Sequence, residues 1–300
     1  VGHFTDNSEV MEFICSNDLN DLAKLGTSCP DHFLRTKISP LVLPITADAN
    51  LNDREAFLPK MKEVFAEYNA MYADYYDNHK RENSPAMRDA NPVVILWPGI
   101  GMFTFAKNKQ TARVAAEFYV NAINVMKGSE AIGGYVALDK QEAFDIEYWL
   151  LEEAKLQRQP KEKPLSRKIA MITGSAGGIG YAVAEKLAAE GACVVISDID
   201  KDRLNESLNN LASKYGKDNT FAVTMNVTDE TDIKRAFGEI ALAFGGMDIL
   251  VNSAGLAISK PLPDTTEADW DLLNNVLVKG QFLTAKTFET IFTKQNLGGD

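Results

Sequence analysis

Apolar residues follow two patterns along this chain, and the change falls near residue 167. Beyond it, short and nearly continuous apolar runs alternate with longer stretches in which apolar residues recur every three or four positions. Short β-branched runs predict buried strands, and the 3.6-residue period predicts helices. Strands are expected at residues 168–173, 193–198, 220–225 and 248–252. Helices are expected at 179–190, 201–215, 230–244, 267–273 and 276–292. Regular strand–helix alternation implies a parallel sheet with helices on both faces. The earlier residues read as mainly helical, with helices at 8–16, 19–25, 53–79, 111–128 and 140–157 and one apolar strand at 93–97. In the long helix, Phe57, Met61, Val64, Phe65, Tyr68, Met71, Tyr72 and Tyr75 recur at helical steps, which predicts a packing face. Between the halves, residues 157–164 are polar and contain Pro160 and Pro164, the composition of a linker. The expected division is residues 1–156, a linker at 157–166, and residues 167–300.

The strand ending at Thr173 runs into Gly174-Ser175-Ala176-Gly177-Gly178-Ile179-Gly180 and then into a helical pattern. A strand, a glycine turn and a helix can hold a dinucleotide pyrophosphate, because the helix N-terminus presents unpaired N–H groups and its positive dipole end. The next strand ends at Asp198, 18 residues past Gly180. An acidic residue there accepts hydrogen bonds from a ribose and repels a 2′-phosphate, which favours NAD over NADP. A later strand runs into Asn252-Ser253-Ala254-Gly255.

The spacing Gly174-x-x-x-Gly178-x-Gly180, followed by the Asn-Ser-Ala-Gly turn, resembles the short-chain dehydrogenase/reductase family from about Arg167 to Asp300. The resemblance implies a Rossmann doubly wound parallel sheet of order 3-2-1-4-5-6-7, truncated here after its fourth strand. It implies that Gly174, Gly178 and Gly180 let backbone approach the pyrophosphate, with contacts from Ser175 and Ile179. Asp198 would read the adenosine ribose and Ile199 flank the adenine. Asn226 and Val227 would lie at the adenine, Asn226 accepting through its carbonyl oxygen where aspartate is common. Asn252, Ala254 and Gly255 would stabilise the sheet and line the nicotinamide-side ribose. Ser253 replaces a more usual asparagine.

Family catalysis uses Tyr-x-x-x-Lys and a serine, expected beyond Asp300, so no catalytic residue is assigned to this chain and its own hydride transfer is expected to be absent. Tyr76-Asp77-Asn78-His79-Lys80 has that spacing but precedes the first nucleotide strand and is rejected. Leu277 stands seven residues after Trp270, where the family often has a catalytic asparagine; Asn274 and Asn275 lie nearby. An open fourth strand is expected to make the isolated chain marginally stable or sticky.

Residues 27–37, 84–89, 98–105 and 142–149, joined to the dehydrogenase-like half, resemble the bifunctional rhamnulose-1-phosphate aldolase/short-chain dehydrogenase proteins. That resemblance implies cleavage of rhamnulose 1-phosphate and oxidoreduction of lactaldehyde or a related small molecule, in a protein of which this is the middle. It also implies a homo-oligomer, and zinc or another divalent metal held upstream. The three histidines, His3, His32 and His79, form no His-x-His pair, so no complete metal site is expected. Only His32 has suggestive neighbours. Arg35, Lys37, Arg88 and Lys107 are candidates for a phosphate or ordinary surface cations.

A net charge of −11 without a basic cluster argues against nucleic acid and anionic membranes, and no apolar run could span a bilayer. Cys15, Cys29 and Cys193 fit no metal spacing and read as reduced thiols of a cytoplasmic protein. Two other readings stay open: an NAD(H)-binding module without turnover, and an assembly role for the first half.

Overall fold

Strand β3 (Val94–Trp97) explains why the first half needs a sheet as well as helices. Its side chains alternate, as the two-residue period of a strand requires. Val94 and Leu96 are buried with α1 (Ser8–Ile14), α2 (Leu19–Lys24) and α5 (Lys109–Glu130). Ile95 is buried on the other side with α4 (Arg54–His79) and α6 (Lys140–Glu147). A strand covered on both faces must be apolar throughout. The computed structural model describes residues 1–45, 54–158 and 160–295, without the side chains of residues 54 and 56.

The four strands of this sheet lie in the order β1 (Gly2–Thr5), β4 (Gly101–Phe105), β3, β2 (Leu41–Val42). β2 runs parallel to β3, and β4 antiparallel to it. The mainly helical reading of residues 1–156 therefore becomes a mixed α/β unit. Two of the missed strands are four and two residues long, too short for a period to register. Pro98 and Gly99 make the hairpin turn, with Gly99 at φ +76° and the Ile100 N–H donating to the Trp97 carbonyl at 3.0 Å.

The expected helix at 140–157 is two, α6 and α7 (Leu150–Gln157), separated by extended backbone at Trp149 (ψ 131°). A short α3 (Phe33–Thr36) precedes Lys37, whose φ of +63° is rare for a residue with a side chain. Asp53, the expected start of the long helix, lies outside the described residues, as do Gln159 of the linker and Asp300.

The second unit alternates strictly: β5 (Ile169–Thr173), α8 (Gly178–Ala189), β6 (Cys193–Asp198), α9 (Lys201–Tyr215), β7 (Thr220–Thr224), α10 (Glu230–Phe244) and β8 (Ile249–Val251). Then come α11 (Glu267–Asn274), a π turn at Asn275–Gly280 and α12 (Gln281–Gln295). The sheet order is β7-β6-β5-β8, and all its pairings are parallel. This is the 3-2-1-4 portion of a Rossmann order. Met171 and Val195 face Phe237 and Ile240 of α10, while Ile172 and Ile196 face Ala184 of α8 and Leu204 of α9. Cys193 is buried among them, and all three cysteines are free thiols.

Capping sets the helix starts. Asp200 accepts from the Arg203 N–H, Asp229 from Thr231 and Asp232, and Thr266 and Asp269 form a reciprocal capping box. The later part of the linker is fastened to this unit, since the Leu165 N–H donates to the Glu190 carbonyl at 3.0 Å.

By contact clustering, residues 3–106 and 111–161 form one compact unit, and the other is built from Glu162 onward with Val1–Gly2 and Lys107–Gln110. Among the described residues no helix is long and apolar enough to cross a membrane.

Candidate functional site

The ends of β5, β6 and β8 converge where the sheet order reverses, between β5 and β8. Ligands of open α/β sheets bind at such a point, beyond the carboxyl ends of the strands. A cavity of about 700 Å³ lies there.

Thr173 joins two turns at its floor. Its buried hydroxyl accepts from the Ser253 N–H and from the Ala254 N–H, each at 3.0 Å. The turn after β8 is thereby fixed against the glycine turn after β5. Their contact excludes side chains: a Cβ on Gly174, at φ +61°, would lie 2.5 Å from the Ala254 Cα. A Cβ on Gly180 would lie 2.4 Å from the Gly174 carbonyl oxygen, so the first turn of α8 can rest against the turn only without one. Gly178 is the opposite case. It has φ +58°, and a Cβ there would meet nothing within 4 Å. Its bare backbone faces open space at the N-terminus of α8, the cradle a pyrophosphate needs. The residues present therefore fit a dinucleotide.

Of the anticipated contacts, Gly174, Gly178, Ile179, Gly180, Asp198, Ile199, Asn226, Val227, Ala254 and Gly255 all line the cavity. Ile179 and Ile199 are 80% and 68% exposed, apolar rims that a bound ligand would cover. Asp198 is half-buried; its carboxylate accepts from the Ala176 N–H at 3.1 Å and from the Asp200 N–H at 3.2 Å. Two carboxylate oxygens have lone pairs to spare beyond these bonds, so a ribose hydroxyl can still be accepted.

Two anticipated contacts are elsewhere. Ser175 is fully buried: its hydroxyl donates to the Ile172 carbonyl at 2.7 Å and accepts from the Ser197 N–H at 2.8 Å. It ties β5 to β6 and does not line the cavity. Asn252 likewise is absent from the lining; its side-chain oxygen accepts from Thr284 of α12 at 2.8 Å. The role expected of Asn226 also changes. Its carbonyl oxygen already accepts from the Thr228 N–H at 3.0 Å and hydroxyl at 2.9 Å, which uses both lone pairs. Leu277, in the π turn, would come within 3.1 Å of a Cβ on Gly255. Sequence reasoning missed Thr173 and Arg203. The only prior signal for Thr173 was a hydroxyl at a strand end.

In the first unit the four cation candidates separate. Lys37 and Arg88 meet around Glu147, which is 1% exposed. The Lys37 ammonium donates to the Asp89 carbonyl and lies 4.0 Å from the centre of the Tyr72 ring; burial pulls its pKa down to about 8. Arg88 donates to the Glu147 carbonyl, pairs with Glu153 at 3.3 Å and stacks on Tyr148. The Tyr72 hydroxyl donates to Glu147 at 2.6 Å and contacts the Tyr148 hydroxyl at 2.7 Å. Burial raises the Glu147 pKa to about 7 against the Tyr72 hydrogen bond and the Arg88 and Lys37 charges. Lys37 and Arg88 are thus committed to an internal network and do not form a phosphate site. Arg35 is half-buried on α3, and Lys107 has its own partner.

The His32 ring stacks on Phe118 at 3.8 Å, and desolvation lowers its pKa against the nearby Asp31 charge. The His79 Nδ1 contacts the Tyr75 carbonyl at 2.7 Å. No group of three His, Cys, Asp or Glu side chains among the described residues could hold a metal, so these residues do not fit a divalent ion. The rejected Tyr76 donates its hydroxyl to the Pro85 carbonyl at 2.7 Å.

Comparison with known proteins divides the chain at nearly the same place. Residues 1–156 match the family model for the second domain of class II aldolases, and residues 168–299 match that for short chain dehydrogenases. The chain is 38% identical over 296 residues to the uncharacterized oxidoreductase YuxG of Bacillus subtilis (strain 168), covering 99% of this chain and 42% of that protein. It is 36% identical over 137 residues to the 3-oxoacyl-(acyl-carrier-protein) reductase FabG of Aquifex aeolicus (strain VF5), covering 46% of this chain and 55% of that one. A crystal structure of a short chain dehydrogenase from Mycobacterium smegmatis aligns with TM-score 0.41 and 32% identity, over 46% of this chain and 59% of that chain. The chain spans about half the length of the curated relatives it matches.

Proposed function

The chain belongs to the family defined by the second domain of class II aldolases, here joined to a short-chain dehydrogenase domain, and on that premise we propose that it forms the cofactor-binding part of an NAD-dependent oxidoreductase fused to an aldolase. The observation that carries this reading is the pair of turns joined by Thr173, with the bare backbone of Gly178 facing the cavity. When bound, NAD accepts or returns a hydride at its nicotinamide ring. The residues here bind and orient it. The α8 N-terminus and Gly178 receive the pyrophosphate, Asp198 accepts from the adenosine ribose, and Ile179 and Ile199 exclude water by closing over the ligand. Ala254 and Gly255 line the opposite end of the cavity.

None of these residues can move a proton at a substrate oxygen, so turnover is assigned to the whole protein. The two tyrosines of this half, Tyr181 and Tyr215, are followed four residues on by Glu185 and Asn219. For the whole protein we propose rhamnulose 1-phosphate cleavage at a divalent metal, NAD-coupled oxidoreduction of lactaldehyde, and assembly as a cytoplasmic homo-oligomer. Leu277 favours a second reading, an NAD(H)-binding module without turnover, because a leucine can neither donate nor relay a proton.

Titration of the chain with NADH, followed by nicotinamide fluorescence, tests the binding claim. Saturable binding that weakens when Asp198 is replaced by alanine supports it, and no binding refutes it. Lactaldehyde-dependent change in NADH absorbance by the full-length protein separates the two readings: turnover eliminates the binding-only module, and its absence eliminates the dehydrogenase.

A further inference from the structure

Arg203 is the cation that lines the dinucleotide cavity. It stands in the first turn of α9, five residues past Asp198. Its backbone N–H is used by the Asp200 cap at 3.1 Å, but among the described residues its guanidinium makes no ion pair or hydrogen bond. The other cavity-facing polar groups described above are at least partly satisfied. A cation in the first turn of a helix is also opposed by the helix dipole, so this placement gains nothing from α9 itself.

The guanidinium lies against the glycine turn. A Cβ on Gly177 would come 2.7 Å from the Arg203 Nη2 and 3.8 Å from its Cζ. Gly177 has φ 169°, extended backbone open to any residue, so conformation does not demand glycine there. The space does: without a Cβ, the guanidinium can lie across the turn next to Asp198. The Asp198 carboxylate meanwhile is held by the backbone N–H groups of Ala176 and Asp200, which partly offset its charge. A planar, permanently charged fork beside the ribose-reading carboxylate matches a phosphate monoester.

We propose that Arg203 receives the adenosine 2′-phosphate, so that the site accepts NADP(H) as well as the preferred NAD(H). This inference rests on the dinucleotide reading of the cavity. Asp198 sets the preference for NAD, and Arg203 limits its size by supplying the one charge that answers an additional phosphate. An arginine near the ribose is the general means of accommodating that group.

The test is parallel titration of the 300-residue chain with NADH and NADPH at one ionic strength, for the parent, Arg203→Met, Arg203→Lys and Gly177→Ala. The parent is expected to bind NADPH within about tenfold of NADH. Loss of one charge-assisted contact should weaken NADPH by about tenfold or more in Arg203→Met, with NADH changed less than about twofold. Arg203→Lys should recover part of the loss. Gly177→Ala, which keeps the charge but displaces it, should weaken NADPH more than NADH. If Arg203→Met weakens both nucleotides equally, or leaves NADPH unchanged, the 2′-phosphate assignment is overturned. If the parent binds NADH but not NADPH, this inference fails and the NAD site stands. If it binds neither, both fail.

Discussion

Replacing Gly180 by alanine sets helix propensity against tertiary contact. Gly180 lies in the first turn of α8, where alanine is favoured over glycine by about 1 kcal/mol. The added Cβ, however, would sit 2.4 Å from the Gly174 carbonyl oxygen, 3.0 Å from its carbon and 2.9 Å from the Ser175 Cα. All three are backbone atoms, so no side chain can rotate away. An ordinary contact begins near 3.4 Å, so α8 and the turn must separate by about 1 Å. Overpacking of this kind costs about 1–3 kcal/mol, which outweighs the propensity gain and leaves a net loss of about 1–2 kcal/mol. The displacement also withdraws the α8 N-terminus. A hydrogen bond of about 2.9 Å stretched by 1 Å is effectively lost, so NADH affinity should fall by about tenfold or more.

Gly238 provides the control. It lies within α10, and a Cβ there would meet nothing within 4 Å. Gly238→Ala should therefore stabilise by about 1 kcal/mol and leave binding unchanged. Urea unfolding followed at Trp270, with NADH titration, reads both variants. A Gly180→Ala protein as stable and as tight-binding as the parent would refute the packing argument.

Further outcomes follow from other sites. Asp198→Ala should lower the NADH-to-NADPH affinity ratio; an unchanged ratio would remove Asp198 from the specificity argument. Phe237 is fully buried, so Phe237→Ala should cost about 3–5 kcal/mol in urea unfolding, and a loss below about 1 kcal/mol would contradict its core position. Glu147, raised from 4.5 to about 7, binds its proton more tightly in the folded state. Its contribution is complete below about pH 4.5 and is lost as pH rises through about 7, an order of 3 kcal/mol in all. Tyr72, Tyr148, Lys37 and Arg88 surround it, and Lys37, lowered from 10.5 to about 8, acts in the opposite sense only above pH 8. Glu147→Gln, a mimic of the protonated acid, should flatten the fall seen by Trp97 and Trp149 fluorescence between pH 4.5 and 7; an unaltered slope would rule Glu147 out as its source.

The sequence by itself determined the second half in some detail. Strands buried on both faces must be apolar throughout, and glycines that admit backbone contact cannot be exchanged freely, so both marks lie in consecutive residues. That is why the Rossmann order, the turn from Gly174 to Gly180 and the place of Asp198 were legible. The first half gave less, because β1 and β2 acquire their identity from long-range pairing with β4 and β3 and are too short to show a period.

Only the tertiary structure decided which polar atoms were left to act. Ser175 and Asn226 look free in sequence, yet hydrogen bonds to Ile172, Ser197 and Thr228 commit the hydroxyl of one and the carbonyl oxygen of the other. Lys37 and Arg88 resemble surface cations until Glu147, more than fifty residues away in sequence, is placed between them. Thr173 and Arg203 carry no motif, and their roles exist because two turns and a helix start meet. Hydrophobic burial is recorded in the periodicity of neighbouring residues, whereas hydrogen-bond and charge pairing depend on which distant atoms arrive within about 3 Å, and no local pattern encodes that.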